Sequence, residues 1–277
     1  MLIDFHTHVF PEKIADRTVE TLINGIKSIQ GADYENADGS PLAFRPATLD
    51  GLLSSMKKSR VDMSVCLPIA TRIAQTESIN RFAEGIRNEK TLSFGTLFPT
   101  DPDRDRIIED LAARGFKGIK LHPQFQQTYA DSPEMISIVR RCSELGLLVV
   151  LHAGADIGLP PPFYATPERI RRLADRTGGE NVICAHLGGW RMWDGVEKHL
   201  VGTPVMLDTA FVRLFISPEQ MTRIIRSHGA SKILFGSDSP WEDPADTLRF
   251  LLSLGLTDEE LELITHKNAE KLLGSAV

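Results

Sequence analysis

Two histidines stand two positions apart near the start of the chain, directly after a short apolar run. His6 and His8 close the stretch LIDFHTH at residues 2–8. On a β-strand, alternate side chains point to the same side, so both imidazoles would project together from the strand's end. Neutral imidazole is a common ligand of zinc-type metals. Alone, the pair fits half of a metal site and equally fits one buried and one exposed histidine.

Further polar side chains follow later apolar runs in the same way. Lys120 and His122 lie at the end of one run, and His152, His186 and Asp238 each follow another. Packing does not explain polar groups at so many strand ends, because burying them unpaired would be costly. Three imidazoles and one carboxylate form a donor set suited to zinc, and also to manganese or iron.

Strand-like and helix-like patterns alternate along the chain and would position these groups. Residues 11–29 have apolar side chains at helical spacing, and a regular alternation begins at residue 61. Near-continuous apolar strands such as residues 147–151 are typical of a parallel sheet covered on both faces. Eight such units predict one closed (β/α)8 TIM barrel, whose functional groups gather at the C-terminal strand ends. We expect a single domain over residues 1–277, with residues 31–46 as a loop insertion that is either a loop or small lid near the site or a plain surface insertion.

The composition limits the class of partner. The net charge is −6, which argues against binding to nucleic acid or to an anionic membrane. The three cysteines have no paired spacing, and no apolar run is long enough to span a bilayer. We therefore expect a cytoplasmic protein with a small-molecule substrate. That substrate could be a carboxylate, because local positive charge can outweigh the global sign. A homo-oligomer is compatible with the sequence.

Taken together, these motifs resemble the amidohydrolase superfamily over almost the whole chain. The segments that carry the resemblance are, in order, HTH, GFKGIKLHP, LHAG, AHLGG and FGSDSP. They are most similar to the amidohydrolase-2 branch, which includes aminocarboxymuconate-semialdehyde decarboxylase and related small barrel hydrolases. Each segment is weak evidence alone, but five in the right order on the right strands are specific.

The resemblance implies a metal centre and an acid/base residue. His6, His8, His152 and Asp238 would hold one divalent ion, most simply zinc, with manganese or iron as alternatives. His186 would lie beside the metal-bound water as the catalytic acid/base, and Asp238 could also accept a proton from that water. These roles agree with the chemistry, because a metal lowers the pKa of bound water toward the range in which histidine exchanges protons.

The remaining candidates would contact the substrate. Binuclear members of the superfamily bridge two metals with a carboxylated lysine on strand four, so Lys120 could bridge metals, pair with a charge or bind substrate. His122 could bind the metal directly or contact a residue that binds it. Asp208 could orient a histidine or cap the loop that follows it. Three arginines that follow strands could clamp a substrate carboxylate: Arg72, Arg191 and Arg213.

Two reactions are compatible with this site. The leading expectation is a metal-dependent hydrolase, in which activated water attacks a small lactone, ester or amide. The alternative is a metal-dependent, non-oxidative decarboxylase of an aromatic or unsaturated carboxylic acid, which would use the same ligands. A barrel nuclease is disfavoured, because no bridging glutamate ends the third strand. A barrel that only binds a ligand would retain no metal.

Overall fold

The strands are short, parallel and mostly buried in the computed structural model, which describes residues 1–274. In these residues the strand segments are β1 (Ile3–Thr7), β2 (Met63–Cys66), β3 (Thr91–Ser93), β4 (Gly95–Thr96), β5 (Gly118–Leu121), β6 (Leu148–Leu151), β7 (Val182–Cys184), β8 (Met206–Asp208) and β9 (Ile233–Leu234). Only Phe94 separates β3 from β4. The segments therefore form eight consecutive strands.

Helices connect these strands. They are α1 (Glu12–Gln30), α2 (Leu49–Ser59), α3 (Thr76–Gly85), α4 (Arg104–Ala113), α5 (Pro123–Gln126), α6 (Pro133–Glu144), α7 (Pro167–Thr177), α8 (Trp193–His199), α9 (Pro218–His228), α10 (Pro244–Leu252), α11 (Asp258–Glu262) and α12 (Asn268–Leu273). Three begin with a hydroxyl cap followed by proline, at Ser132, Thr166 and Ser217. The cap accepts a backbone N–H that the helix leaves free, and proline needs no donor at the first helical position.

The strand order closes on itself. One sheet contains β1, β2 and β3, and the other contains the six strands from β4 through β9. Within each sheet neighbouring strands follow chain order, and all pairs are parallel. The Phe94 N–H donates to Cys66 and continues the second strand's pairing. At the other edge, the Phe5 N–H donates to the carbonyl of Phe235 at 2.8 Å. The chain thus has the expected α/β barrel fold, with the last strand against the first.

The alternation of side chains along a strand explains how polar groups reach the barrel's interior. On β6, Val149 and Leu151 pack in the large hydrophobic cluster that includes the helices. Leu148 and Val150 belong to a second cluster built mainly from the other faces of the strands. His152 follows the strand and lies on the same face as Leu148 and Val150, because side chains two residues apart share a face. The apolar interior therefore gives way to imidazole at the C-terminal end.

Several local expectations are met, and others are refined. Residues 31–46 contain neither helix nor strand, and the Phe44 N–H fixes this loop by donating to the carbonyl of Pro240 at 2.7 Å. Near the C-terminal end of the described chain, α11 and α12 are joined by a π-helical turn at Leu263–Lys267. Within the described residues, no helix is both long and apolar enough to cross a membrane.

A buried histidine next to the start of β8 predicts acid sensitivity of the fold. The His228 Nε2–H donates to the carbonyl of Val205 at 2.9 Å, and burial lowers the pKa of His228 from 6.5 to about 4. The unfolded chain protonates His228 more readily than the folded protein does. The free energy of unfolding is therefore unaffected by this group above pH 6.5 and falls as the pH drops from 6.5 toward 4. Between about pH 7.5 and 4.5 the loss from this group should be about 2–3 kcal/mol.

The variant His228→Gln tests this, because it removes the titrating ring and leaves an amide donor. Urea unfolding of chelator-treated protein at both pH values should show a smaller acid-side loss for the variant than for the wild type. Equal losses in the two proteins would assign the acid sensitivity to other groups.

Candidate active site

The candidate site lies at the C-terminal ends of the strands, and its centre is a group of three donor atoms. His6 Nε2 and His8 Nε2 are 3.2 Å apart, and Asp238 Oδ1 lies 3.3 Å from the first and 3.0 Å from the second. Both histidines come from the end of β1, and Asp238 follows β9. Closure of the barrel brings these expected metal ligands together.

The partners of the other ring nitrogens decide where the hydrogens lie. His8 Nδ1 is 2.8 Å from the carbonyl oxygen of Leu67, which can only accept, so Nδ1 carries the hydrogen. His6 Nδ1 likewise donates to Asp208 Oδ2 at 2.8 Å. Both Nε2 atoms of the neutral rings therefore present lone pairs. They face Asp238 Oδ1, which has no hydrogen-bond partner in residues 1–274.

This arrangement fits a metal cation. Three lone pairs that face one another at about 3 Å repel unless a positive charge lies between them. Two imidazole nitrogens and one carboxylate oxygen are ligands that zinc, manganese and iron accept. The donor set of this three-atom group, formed by His6, His8 and Asp238, is consistent with one divalent ion.

The surroundings favour a neutral His6 ring and an ionised Asp238. Burial lowers the pKa of His6 well below its ordinary value, and the charge of Lys120 adds to the effect. Burial acts to raise the pKa of Asp238, but the adjacent His6 and His8 hold it below its ordinary value. Lys120 is buried with Nζ 3.3 Å from His6 Nε2, and burial lowers its pKa to about 8. A lysine cation thus stands beside the three acceptors, and a bridging role for Lys120 remains a prediction.

A second pair of imidazoles adjoins the first. The His152 Nε2–H donates to the carbonyl of Ala155 at 3.0 Å, and the His186 Nδ1–H donates to that of Ala210 at 2.9 Å. The other nitrogens, His152 Nδ1 and His186 Nε2, then face each other at 3.0 Å with lone pairs. Either a proton is shared between these two atoms or a cation binds one of them.

His152 is thus placed differently from the other three expected ligands. It is not part of the three-atom group but groups with His122 and Asp156. Its Nδ1 nevertheless carries a lone pair directed at His186, so it is chemically able to ligate. The assignment of His152 as the fourth ligand and of His186 as the acid/base remains a prediction.

Asp208 connects the two imidazole pairs. One of its oxygens accepts the hydrogen of His6 Nδ1, and the other accepts the backbone N–H groups of His186 at 2.9 Å and Ala210 at 3.1 Å. The sequence left open whether Asp208 orients a histidine or caps the following loop; it makes both contacts. Its side chain is completely buried, which raises its pKa.

The backbone at these strand ends is unusual. His186 and Asp238 have positive φ angles of 58° and 68°, which few non-glycine residues adopt outside functional sites. Gly236 is required for space, since a Cβ there would lie 2.9 Å from the Cβ of His6. The chain thus accepts local strain to direct these side chains inward.

Arg213 is engaged by carboxylates of the protein. Its Nε donates to Glu242 at 2.5 Å, and a terminal nitrogen donates to Asp38 at 2.8 Å. Asp38 lies in the 31–46 loop, so Arg213 attaches that loop to the barrel rim. Glu242 is buried, and burial raises its pKa to about 7.

The other two arginines are exposed. The Arg191 guanidinium lies over the rings of Trp190 and Phe215, at 4.7 and 5.1 Å from their centroids. Arg72 precedes the short turn Ile73–Gln75. Substrate contact by Arg72, Arg191 and Arg213 stays a prediction.

Sequence reasoning missed Asp156. Its Oδ2 lies 3.5 Å from His122 Nε2, in the loop after β6. It stands four residues beyond His152, and this position after a strand end was the one available signal. Glu242 and Asp38 were also missed, because nothing in the local sequence links either of them to Arg213.

Solved structures share this architecture at low sequence identity. An uncharacterised TIM-barrel protein from Bordetella bronchiseptica aligns with a TM-score of 0.74 at 16% identity, covering 99% of both chains. A 5-carboxyvanillate decarboxylase from Novosphingobium aromaticivorans, complexed with manganese and a nitrobenzoic acid, aligns with a TM-score of 0.73 at 17% identity, covering 99% of this chain and 96% of that one. A probable 2-pyrone-4,6-dicarboxylic acid hydrolase from Acinetobacter baumannii aligns with a TM-score of 0.63 at 18% identity, covering 99% of both.

No curated protein matches the chain in sequence. The amidohydrolase-2 family model, described as Amidohydrolase, matches residues 3–275 and so spans every strand of the barrel. That match agrees with the resemblance carried by the strand-end motifs. The chain belongs to the amidohydrolase-2 family of enzymes.

Proposed function

We propose that this enzyme is a metal-dependent, non-oxidative decarboxylase of an aromatic or unsaturated carboxylic acid. The observation that carries the proposal is the His152–His186 pair, in which hydrogen bonds to two carbonyls leave room for one proton between the rings. Decarboxylation of this kind needs an acid that can protonate carbon. The higher TM-score of the manganese-bound decarboxylase than of the pyrone hydrolase also favours this reaction.

The metal in this proposal is held by the three-atom group, with His152 Nδ1 as the fourth donor. When bound, the ion would supply positive charge to a substrate oxygen and hold the substrate in place. Manganese is as suitable as the zinc that the sequence favoured, since a manganese-bound decarboxylase is among the similar structures. Asp208 keeps the His6 Nε2 lone pair directed at the ion by accepting the Nδ1 hydrogen.

His186 would move the proton. The hydrogen bond from Nδ1 to the carbonyl of Ala210 fixes the ring, so the mobile proton must reside on Nε2. If His152 Nδ1 held the ion, the proton between the two rings would reside on His186 Nε2. This proton is transferred to the substrate carbon that bears the carboxylate, the carbon–carboxyl bond then breaks, and CO2 leaves.

Hydrolysis is the second candidate, and it was the leading expectation from the sequence. The observation in its favour is that burial lowers the pKa of His186, which favours a neutral ring whose Nε2 can accept a proton from water. Asp238 Oδ1 offers a further acceptor. The substrate would then be a small lactone, ester or amide.

One screen separates the two reactions. Manganese- and zinc-loaded protein is incubated with aromatic and unsaturated carboxylic acids and with lactones, and CO2 release and ring opening are recorded separately. The proposal predicts metal-dependent CO2 release from at least one carboxylic acid. Ring opening without CO2 release from any acid would reject the decarboxylase in favour of the hydrolase.

Removal of a donor from the three-atom group should empty the metal site. We expect about one ion per chain in metal-loaded wild type, and a loss of most of it after dialysis of His6→Ala, His8→Ala or Asp238→Ala, since each loses a ligand. Elemental analysis measures this. His199→Ala, on α8, is the matched control and should retain the ion. A ratio near two ions per chain would overturn the mononuclear proposal and return Lys120 to a bridging role.

His152 and His186 should respond differently to replacement. His186→Ala should keep most of the metal while turnover falls by about 10²–10⁴-fold, as expected on loss of a proton-transfer group. His152→Ala should lose metal and activity together. Metal content and rate are measured with excess metal and again after dialysis. If His186→Ala empties as readily as His152→Ala, then His186 is itself a ligand.

A further inference from the structure

Asp4 is a buried carboxylate on β1 that has no part in the proposed chemistry. Its two neighbours along the strand belong to the second hydrophobic cluster, and its own side chain is completely buried. Burying a carboxylate is costly unless hydrogen bonds replace those to water. In the described part of the chain, the hydrogen bonds to Asp4 come only from uncharged donors, which belong to His6 and Ser237. A hydrophobic side chain would avoid this cost, so the carboxylate needs a further explanation.

The Asp4 carboxylate holds the backbone on both sides of Asp238. Its Oδ1 accepts the backbone N–H of Ser237 at 2.9 Å, and its Oδ2 accepts the Ser237 hydroxyl at 2.5 Å. The same hydroxyl oxygen accepts the backbone N–H of Ser239 at 3.0 Å. Asp4 therefore fixes one neighbour of Asp238 directly and the other through a single hydroxyl.

The end of β1 supplies the remaining backbone contacts to this segment. The Asp238 N–H donates to the carbonyl of His6 at 2.8 Å, and the His8 N–H donates to that of Ser239 at 2.6 Å. Asp4 Oδ1 also accepts the His6 N–H at 3.2 Å. Each of the three successive N–H groups around Asp238 is thus engaged. These contacts join both histidines of the three-atom group to its aspartate.

Asp238 needs this support because its backbone conformation is unfavourable. Its φ angle of 68° lies in the left-handed region, and such a conformation persists where surrounding contacts determine it. Without the Ser237 hydroxyl, the Ser239 N–H would lose its acceptor and the segment could relax. Asp238 Oδ1 would then move relative to His6 Nε2 and His8 Nε2. The three donor atoms would no longer be arranged around one ion.

We infer that Asp4, acting through the Ser237 hydroxyl, is a positioning residue that sets the affinity of the metal site. The inference rests on the proposed metal site and not on the reaction that the site carries out. Asp4 contacts neither the ion nor the substrate in this assignment. It holds His6 and Asp238 in one geometry, and removal of such supporting groups typically weakens metal binding by about 10–100-fold.

Metal affinity tests this without turnover. Chelator-treated full-length protein is titrated calorimetrically with Mn²⁺, and urea unfolding of the same metal-free samples is recorded. Ser237→Ala removes the hydroxyl, and Asp4→Asn keeps the shape but replaces an accepting oxygen with an amide nitrogen. Each should weaken Mn²⁺ binding by about 10–100-fold. A purely structural role would lower the free energy of unfolding and leave the Mn²⁺ affinity of the folded protein unchanged.

The double variant tests whether the two residues act together. Independent defects would multiply their effects on the dissociation constant, because the free energies of uncoupled changes add. If Asp4 acts through Ser237, the double variant should bind Mn²⁺ no more than about 3-fold more weakly than the weaker single variant. Ser59→Ala is the matched control, since it also removes a buried serine hydroxyl that donates to a carboxylate, that of Asp243 at 3.1 Å. It should keep the wild-type affinity.

The outcomes separate this inference from the proposed function. Wild-type Mn²⁺ affinity in either folded single variant, or multiplied effects in the double variant, would overturn the inference and leave the metal site in place. If neither single variant folds, the contacts serve the fold and the inference is wrong. A wild type that binds no Mn²⁺ would overturn the inference together with the manganese site. Weakened binding in the variants of a protein that releases no CO2 would retain the positioning role and reject the decarboxylase.

Discussion

The carboxylate of Asp208 is the constraint on which the arrangement of the site depends. It is completely buried and accepts three hydrogen bonds, from the ring of His6 and from the backbones of His186 and Ala210. These contacts join the ends of the first, seventh and eighth segments of the sheet. The same contacts fix the tautomer of His6 and the backbone turn that presents His186. A single buried anion therefore sets both the metal-facing lone pair and the position of the proton donor.

Backbone carbonyls complete this control of hydrogen positions. Leu67, Ala155 and Ala210 each offer a carbonyl oxygen to one imidazole, and each therefore decides which nitrogen of that ring is free. Because these oxygens belong to strand ends and their loops, the pattern of lone pairs follows from the path of the main chain.

The sequence predicted the barrel and the location of the site more fully than the site's chemistry. Two sequence features place the ligands at the C-terminal end of the barrel. His6 and His8 are two residues apart at the end of a strand, and Asp238 follows an apolar strand. Hydrogen positions could not be predicted, because the Leu67 carbonyl that fixes His8 follows the neighbouring strand β2, whose register comes only with the fold. The pairing of Arg213 with Asp38 spans 175 residues and has no local signal. The π-helical turn at Leu263–Lys267 likewise interrupts an unbroken helical pattern.

The meeting of β1 with the last strand has a consequence for how the chain acquires its structure. Ser237 binds the Asp4 carboxylate through both backbone N–H and hydroxyl, a contact between residues 233 positions apart. During synthesis β1 emerges long before the residues that it contacts at this edge, because 233 positions separate Asp4 from Ser237. Contacts of such long range are formed late, because closing so large a loop carries an entropic cost before any contact offsets it. Until those residues emerge, β1 lacks its partner at this edge, and an unpaired strand edge can pair with another chain and so favours aggregation.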